Sequence, residues 1–277
     1  MRKQTKSNFG TNELITLKNH VWLELQKHAG RCVASVLVAC ASALKQRSPL
    51  SLKDLEVLAL LKMQEFDCTP TFQGYRGFPS GICTSVNEQV VHGIATEYVL
   101  QGGDLVTVDV GATYKGAIAD AARTWIYGEP KDKRHVQLVK AGREALDVGT
   151  KAVQVGKQVG AIGYAIYKFV NSGLAPGCYQ YGLVTKYGGH GLDYNKPHAD
   201  PFIHNKSESW DGARIVPGLA IAIEPMLVLG ESGNWDVQTK TLNDGWTVVT
   251  KNLNCHFENS VTVMEDGIHI ITETNET

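Results

Sequence analysis

LVTVDVGATYKGAIADAART, Leu105 to Thr124, decides how this chain is read. Two apolar, β-rich runs flank Lys115-Gly116, a two-residue turn, and together predict a β-hairpin. Each run carries one acid where a core residue is expected: Asp109 among valines and Asp120 among alanines. Cross-strand partners around a two-residue turn have numbers with an odd sum, so the two aspartates share a face. They stand opposite or diagonal to each other, roughly 5–8 Å apart. Two ionised carboxylates that close repel unless a cation or a shared proton lies between them. In a lone hairpin such acids are most often edge residues facing water, so the weight rests on what the rest of the chain adds.

Outward from the hairpin, three more ligand-type residues occupy apolar or glycine-rich settings. His190 sits in Gly-Gly-His-Gly, where absent side chains give another group room to approach the imidazole. Glu224 interrupts Leu219-Ala-Ile-Ala-Ile-Glu-Pro-Met-Leu-Val, and Glu258 alternates into His256-Phe-Glu-Asn-Ser-Val-Thr-Val. An unpartnered buried carboxylate costs several kcal/mol, so an apolar strand rarely carries one idly. Four acids and one histidine form a mostly oxygen donor set for two divalent ions, suited to Mn, Fe or Co, with Zn also compatible. Such a pair activates water and polarises a carbonyl, the machinery of metal-assisted hydrolysis.

The remaining sequence is consistent with one catalytic domain over 12–277 behind a short polar arm, residues 1–11. A stripe from Asn12 through Leu14, Leu17, Val21, Leu25, Ala29, Val33, Val36, Cys40 and Leu44 predicts a first helix that Gly30 bends. His20 and His28 lie on it as surface residues. Ser48-Pro49 ends it, and Ser51 with Asp54 caps a second helix running to about Glu65. Residues 69–93 have the glycine, proline and aromatic content of loops and short strands that line a pocket. Pro130 is placed near the start of a helix ending at about Val155, and another spans Val159 to Asn171 with Gly173 beyond its end. Thereafter come a loop over 187–201, a strand over 220–230, a hairpin around Asn243-Asp244-Gly245 and two final strands. Helices grouped between strand-rich segments predict an α+β fold.

At 277 residues and 43% hydrophobic the chain can bury a large core, and its net charge of −1 gives no case for nucleic acid or an anionic membrane. The longest small-apolar run, Val33 to Leu44, is too short to cross a bilayer, and no charged-then-apolar leader opens the sequence. Six scattered cysteines without a CxxC pair are expected as reduced thiols in a cytoplasmic protein.

In order and spacing, Asp109, Asp120, Gly-His190-Gly, Ile-Glu224-Pro-Met and Phe-Glu258 resemble the ligand pattern of the methionine aminopeptidases. Val-Asn-Glu-Gln-Val-Val-His92-Gly is similar to that family's active-site histidine segment. The resemblance runs from about residue 12 to the end, and the short His190–Glu224 spacing is similar to the type I enzymes. It implies the pita-bread fold, two pseudo-symmetric halves around a dinuclear centre. It further implies Asp109 as a terminal ligand, Asp120 and Glu258 as bridging ligands, and His190 and Glu224 as ligands of the second ion. Glu224 would also carry the proton from water to the leaving amine, and His92 would lie beside the scissile peptide. Tyr75, Phe78, Cys83 and Trp246 match positions around the methionine side chain, and Phe72 stands where a smaller residue is common. The soft, apolar character of that lining suits a thioether.

The chain departs from the family after His190. Leu192-Asp-Tyr-Asn-Lys-Pro-His198-Ala-Asp-Pro201 has one residue more than usual, and Ala199 replaces a glutamate. His256 and Asn259 stand where Gln and His usually flank the last glutamate. Two histidines compete for the substrate-facing role; His198 requires a one-residue bulge and His204 a far larger displacement, so His198 takes the role and His204 lies at the surface. The implied activity is removal of the initiator methionine from nascent chains when the second residue is small. The expected partners are methionine-initiated peptides and, transiently, the ribosome, with the protein a monomer free of membrane and nucleic acid. The competing readings are a paralogue with altered or weak specificity, and a non-catalytic binding module of the same fold; the latter is disfavoured because all five ligands persist.

Overall fold

The central hairpin forms with the expected turn. In the computed structural model, which describes residues 15–46, 48–177 and 180–274, Leu105–Tyr114 pairs antiparallel with Ala117–Ile126. Lys115 and Gly116 both take positive φ, as a type I′ turn requires. The register sets Asp109 opposite Ala122 and Gly111 opposite Asp120, so the two aspartates lie on a diagonal. The strand period then divides the hairpin between two environments. Val106, Val108, Val110, Ala112, Ala119 and Ala121 face one core, while the aspartates point to the opposite side with Thr107 and Thr124, whose hydroxyls meet at 2.8 Å.

The chain begins with α1 (His20–Gln46) and α2 (Leu52–Glu65), followed by β1 (Thr69–Pro70), β2 (Cys83–Val86) and β3 (Gln89–Val91). The hairpin strands are β4 and β5. Then come α3 (Lys133–Lys151), α4 (Gly160–Asn171), β6 (Tyr181–Leu183), β7 (Gly189–Asp193), β8 (Lys196–Ile203), β9 (Ala220–Ile223) and β10 (Met226–Leu229). The last elements are β11 (Lys240–Thr241), β12 (Val248–Val249), β13 (Asn254–His256), β14 (Asn259–Met264) and β15 (Gly267–Ile270).

Two helix pairs each cover a sheet. α1 and α2 enclose a core with the β1-β4-β2 sheet, which β5 extends. α3 and α4 enclose a second core with strands of the five-stranded sheet β15-β14-β9-β7-β8 and the three-stranded sheet β13-β10-β6. The halves are joined between β5 and β14. Ser260 Oγ accepts from the Asp120 N–H at 2.8 Å and donates to the Asp120 carbonyl at 2.7 Å. Buried Arg123 donates to the Glu258 carbonyl and, at 2.7 Å, to Asn259 Oδ1. Asn259, one of the departures in the sequence, thus holds the seam between the halves.

Several elements differ from their sequence-based expectation. The first helix starts at His20 with Asn19 accepting from the Trp22 N–H, so Leu17 precedes it and Val21 is 70% exposed. His28 is not a free surface residue: its ring lies 4.0 Å from that of Tyr114 and Nε2 lies 2.8 Å from the Phe66 carbonyl. Asp132, not Pro130, caps α3, because its carboxylate accepts from the Arg134 N–H. The Ser51–Asp54 capping box of α2 forms in full. The 187–201 loop is largely the β7–β8 hairpin, with register shifts on either side of Gly191. The expected strand over 220–230 is two strands in different sheets. The arm over 1–11, the helical stripe before Ile15 and Cys178 lie outside the described residues; the remaining five cysteines are free thiols. No helix among the described residues is long and apolar enough to cross a membrane.

Candidate metal centre and active site

Glu224 and Glu258 owe their positions to breaks in strands. β9 ends at Ile223, and Pro225, which has no N–H to donate to a ladder, lets the chain leave the five-stranded sheet and enter the three-stranded one as β10. β13 makes the reverse passage at Phe257-Glu258 and re-enters the large sheet as β14. The two breaks adjoin, since the Phe257 N–H bonds to the Pro225 carbonyl at 3.3 Å. Buried Asn205 fixes the first by donating to the Glu224 and Val184 carbonyls at 3.1 and 3.2 Å. At the second, the Glu258 N–H bonds the Ala122 carbonyl at 2.9 Å, bringing Glu258 beside the hairpin aspartates.

His190 lies on β7. Its flanking glycines serve the backbone rather than the imidazole: a Cβ at Gly189 would stand 2.2 Å from the Ala222 carbonyl oxygen, and one at Gly191 2.0 Å from that of Asp200. Nε2 lies 3.4 Å from Glu224 Oε1. Donor atoms of Asp120, His190 and Glu258 all fall within 4.8 Å of one another.

Every side chain given a metal, catalytic or substrate-binding role in the sequence reading lines one cavity of about 690 Å³. Asp109, Asp120, His190, Glu224 and Glu258 are all buried in its floor. Burial raises the Asp109 carboxyl to about 6 and Glu224 to about 7, and lifts Asp120 and Glu258 well above the ordinary carboxylate range. Mutual repulsion adds to the last two. Asp109 Oδ1, Asp120 Oδ1 and Glu258 Oε1 are buried without a hydrogen-bond partner. Oxygens so placed are satisfied by a shared cation, and the donor set fits hard or borderline divalent metals.

Beside the floor, Phe72, Phe78 and Cys83 form a separate small apolar cluster with Ile94 and Trp246 packed against it. Cys83 stands directly opposite Asp109 in the β2–β4 register. Burial and the neighbouring Asp109, Asp120 and Glu258 push its thiol well up, which favours the neutral thiol there. His92 holds a left-handed backbone, φ +59°, a conformation rare outside glycine and concentrated at functional positions. Its ring meets Tyr187 at 5.9 Å, and the His198 ring meets Tyr75 at 5.4 Å and His190 at 4.6 Å. His92 is half-buried and His198 exposed on the cavity wall; partial desolvation lowers His92 to about 4 and shifts His198 in the same direction, so both are neutral at pH 7. His204 is outside this cavity; it stacks on Phe202 at 4.6 Å and lines a smaller hollow with Val159 and Gly160.

Sequence reasoning missed the place of His256. It is 1% exposed, with Nε2 3.4 Å from Glu224 Oε2 and 3.9 Å from Glu258 Oε2, and neither ring nitrogen has a hydrogen bond.

The model of metallopeptidase family M24 matches residues 24–265. The chain belongs to this family. The M24 chain is 35% identical to the methionine aminopeptidase of Clostridium acetobutylicum over 94% of its own length and 99% of the relative's. It is 38% identical to methionine aminopeptidase 1 of Mycobacterium tuberculosis, over 90% and 92% of the two chains. The crystal structure of methionine aminopeptidase from Thermotoga maritima superposes with a TM-score of 0.83 at 35% identity, covering 94% of this chain and 99% of that one. Prolidase from Pyrococcus furiosus, at 18% identity and a TM-score of 0.69, shares the fold. The expected α+β pita-bread architecture is therefore the observed one, and this M24 chain is a metallopeptidase.

Proposed function

We propose that this metallopeptidase is a methionine aminopeptidase that removes the initiator methionine from nascent chains whose second residue is small. The observation that carries the reading is the meeting, in one cavity, of four buried carboxylates and His190 with the apolar cluster around Phe72, Phe78 and Cys83. Asp109, Asp120, His190, Glu224 and Glu258 would hold two divalent ions, Mn, Fe or Co, with Zn also compatible. When bound, these ions supply water activation and polarisation of the scissile carbonyl.

The chain's own groups do the rest. The pocket of Phe72, Tyr75, Phe78, Cys83 and Trp246 takes the methionine side chain, a flexible thioether that conforms to soft apolar walls. His92 and His198, both neutral, stand on the cavity wall as hydrogen-bonding partners for the scissile peptide. Glu224, in the cavity floor beside His190, would accept a proton from the attacking water and return it to the leaving amine. The setting in the cell would be the cytoplasm, with a transient ribosome contact and the enzyme monomeric.

The test compares hydrolysis of Met-Ala-Ser and Leu-Ala-Ser by chelator-treated and Mn-reconstituted protein. The expected result is cleavage of the methionyl peptide alone, and only after reconstitution. Equal cleavage of both peptides, or full activity without metal, removes the reading.

A further inference from the structure

The cavity is electrically layered. Its floor is acidic, yet Arg76 and Lys186, both exposed, lie on its lining at the outer end. Among the described residues neither cation forms an ion pair; each instead rests over the ring of its neighbouring tyrosine, Arg76 over Tyr75 at 5.3 Å and Lys186 over Tyr187 at 5.7 Å. Those tyrosines are the ones that touch the two substrate-side histidines, Tyr75 against His198 and Tyr187 against His92. Each cation is therefore linked through one aromatic ring to one of the two histidines. Lys196 and Asp200 also line the cavity but are opposite in charge, which leaves the balance of the rim to Arg76 and Lys186.

Arg76 is held there at a cost. Its backbone is left-handed, φ +51°, between Gly74 and Gly77, which are also at positive φ. A strained non-glycine residue persists only where its surroundings dictate it, and such residues gather at ligand sites.

We propose that Arg76 and Lys186 form a cationic rim that selects methionine-initiated chains carrying acidic residues just beyond the small second residue. The inference rests on the aminopeptidase reading above. A substrate whose α-amino end is in the acidic floor and whose first peptide bond lies between His92 and His198 must leave the cavity past this rim. Its third and fourth residues then pass between the two cations. Asp or Glu there gains two charge-assisted partners, whereas Lys or Arg meets like charge. Because the contact is remote from the reacting atoms and equally present in ground and transition states, it acts on KM and leaves kcat unchanged.

The experiment uses three C-terminally amidated peptides, Met-Ala-Ser-Ser-Gly, Met-Ala-Asp-Asp-Gly and Met-Ala-Lys-Lys-Gly, with metal-loaded enzyme at low and high salt. The expected order of kcat/KM is acidic, neutral, basic, with steps of roughly 3- to 10-fold carried by KM, the scale of exposed ion pairs. The order compresses at high salt. In the Arg76→Glu/Lys186→Glu double variant it inverts, while Arg76→Gln/Lys186→Gln levels it; the neutral peptide is cleaved within about twofold of wild type by both. Equal kcat/KM for the three peptides, or an order that survives charge reversal, overturns the proposal. Failure to cleave even the neutral peptide counts against the aminopeptidase reading instead. In that event fluorescence anisotropy of labelled acidic and basic peptides still reads the rim: acidic binding that is tighter and lost on reversal supports it, and equal binding overturns it.

Discussion

Asp120 is where removing the chemistry and relieving the fold part company. It is 2% exposed, hydrogen-bonded through its backbone to Ser260, and its carboxyl lies among those of Asp109, Glu224 and Glu258. Asp120→Asn keeps the shape and removes one buried ionisable carboxyl. Activity should fall below detection, because in the proposed centre Asp120 would bridge the two ions and a neutral amide there would loosen both. The metal-free protein should at the same time melt higher than metal-free wild type, since repulsion within the floor is relieved. A metal-free variant that melts lower would show that the floor is not charge-strained. The histidines divide as their surroundings do. His198→Ala should lower kcat by roughly 10²-fold, the scale of one lost transition-state donor, with bound metal by mass spectrometry unchanged. His204→Ala, on the far side of Phe202, should be near neutral in both measurements. Loss of metal from His198→Ala would reassign that ring to the ligand set. The floor acids were legible in the sequence because four carboxylates interrupting apolar strands, with His190, together outweigh the bland reading that each has alone. His256 was not, because a lone histidine in a strand is ordinary until its position between Glu224 and Glu258 is known.

At the scale of elements, the site is built from discontinuities. The sequence shows an apolar run through Glu224 and another through Glu258, and period-two reasoning reads each as one strand. The structure breaks both at the glutamate and exchanges them between two sheets, a tertiary event that no local pattern encodes. The β4–β5 hairpin, by contrast, was legible to the register, because turn length and alternation are local. Helix ends were read well where a capping box was present, as at Ser51, and poorly where the cap was one acid near a proline, as at Asp132. The glycines of β7 were legible as important but for a different reason than their sequence implies. Gly191 pairs with Ala199 on one side and Ile221 on the other, and its missing Cβ admits the Asp200 carbonyl. Gly191→Ala should cost about 2–3 kcal/mol by overpacking against backbone that cannot move aside. That corresponds to a fall in Tm of roughly 5–10 °C, and the displaced His190 should bind metal more weakly. Gly102→Ala, with nothing within 4 Å of the added carbon, is the control and should be silent. Equal melting of the two variants would sink the packing argument.

The whole molecule places two well-packed halves around a floor that is unfavourable on its own, and this ties stability to both pH and metal. Carboxyls whose folded pKa lies above the unfolded value of about 4 hold protons in the native state that the unfolded chain has released, so they make stability fall as pH rises. Asp109 at about 6, Glu224 at about 7, and Asp120 and Glu258 higher still all have this sign. Histidines drawn out of water have the opposite sign. Buried His256 and half-buried His92, both at about 4, stay neutral in the fold while the unfolded chain takes up protons below about 6.5. Between pH 4 and 6.5 the two families of groups therefore oppose each other. Above about pH 6.5 the histidines are neutral in both states and only the carboxyls still titrate. The Tm of chelator-treated protein should accordingly fall steadily from pH 6.5 to 8. A divalent ion binds the ionised floor and releases its protons, so its stabilisation should grow over the same interval. The gap in Tm between Mn-loaded and metal-free protein should widen with pH, and Asp120→Asn should flatten the metal-free slope by removing one of the carboxyls that generates it. A metal-free Tm that is level or rises from pH 6.5 to 8 would mean that the floor carboxyls are already ionised and compensated by the protein itself, and the argument that they await a cation would fail.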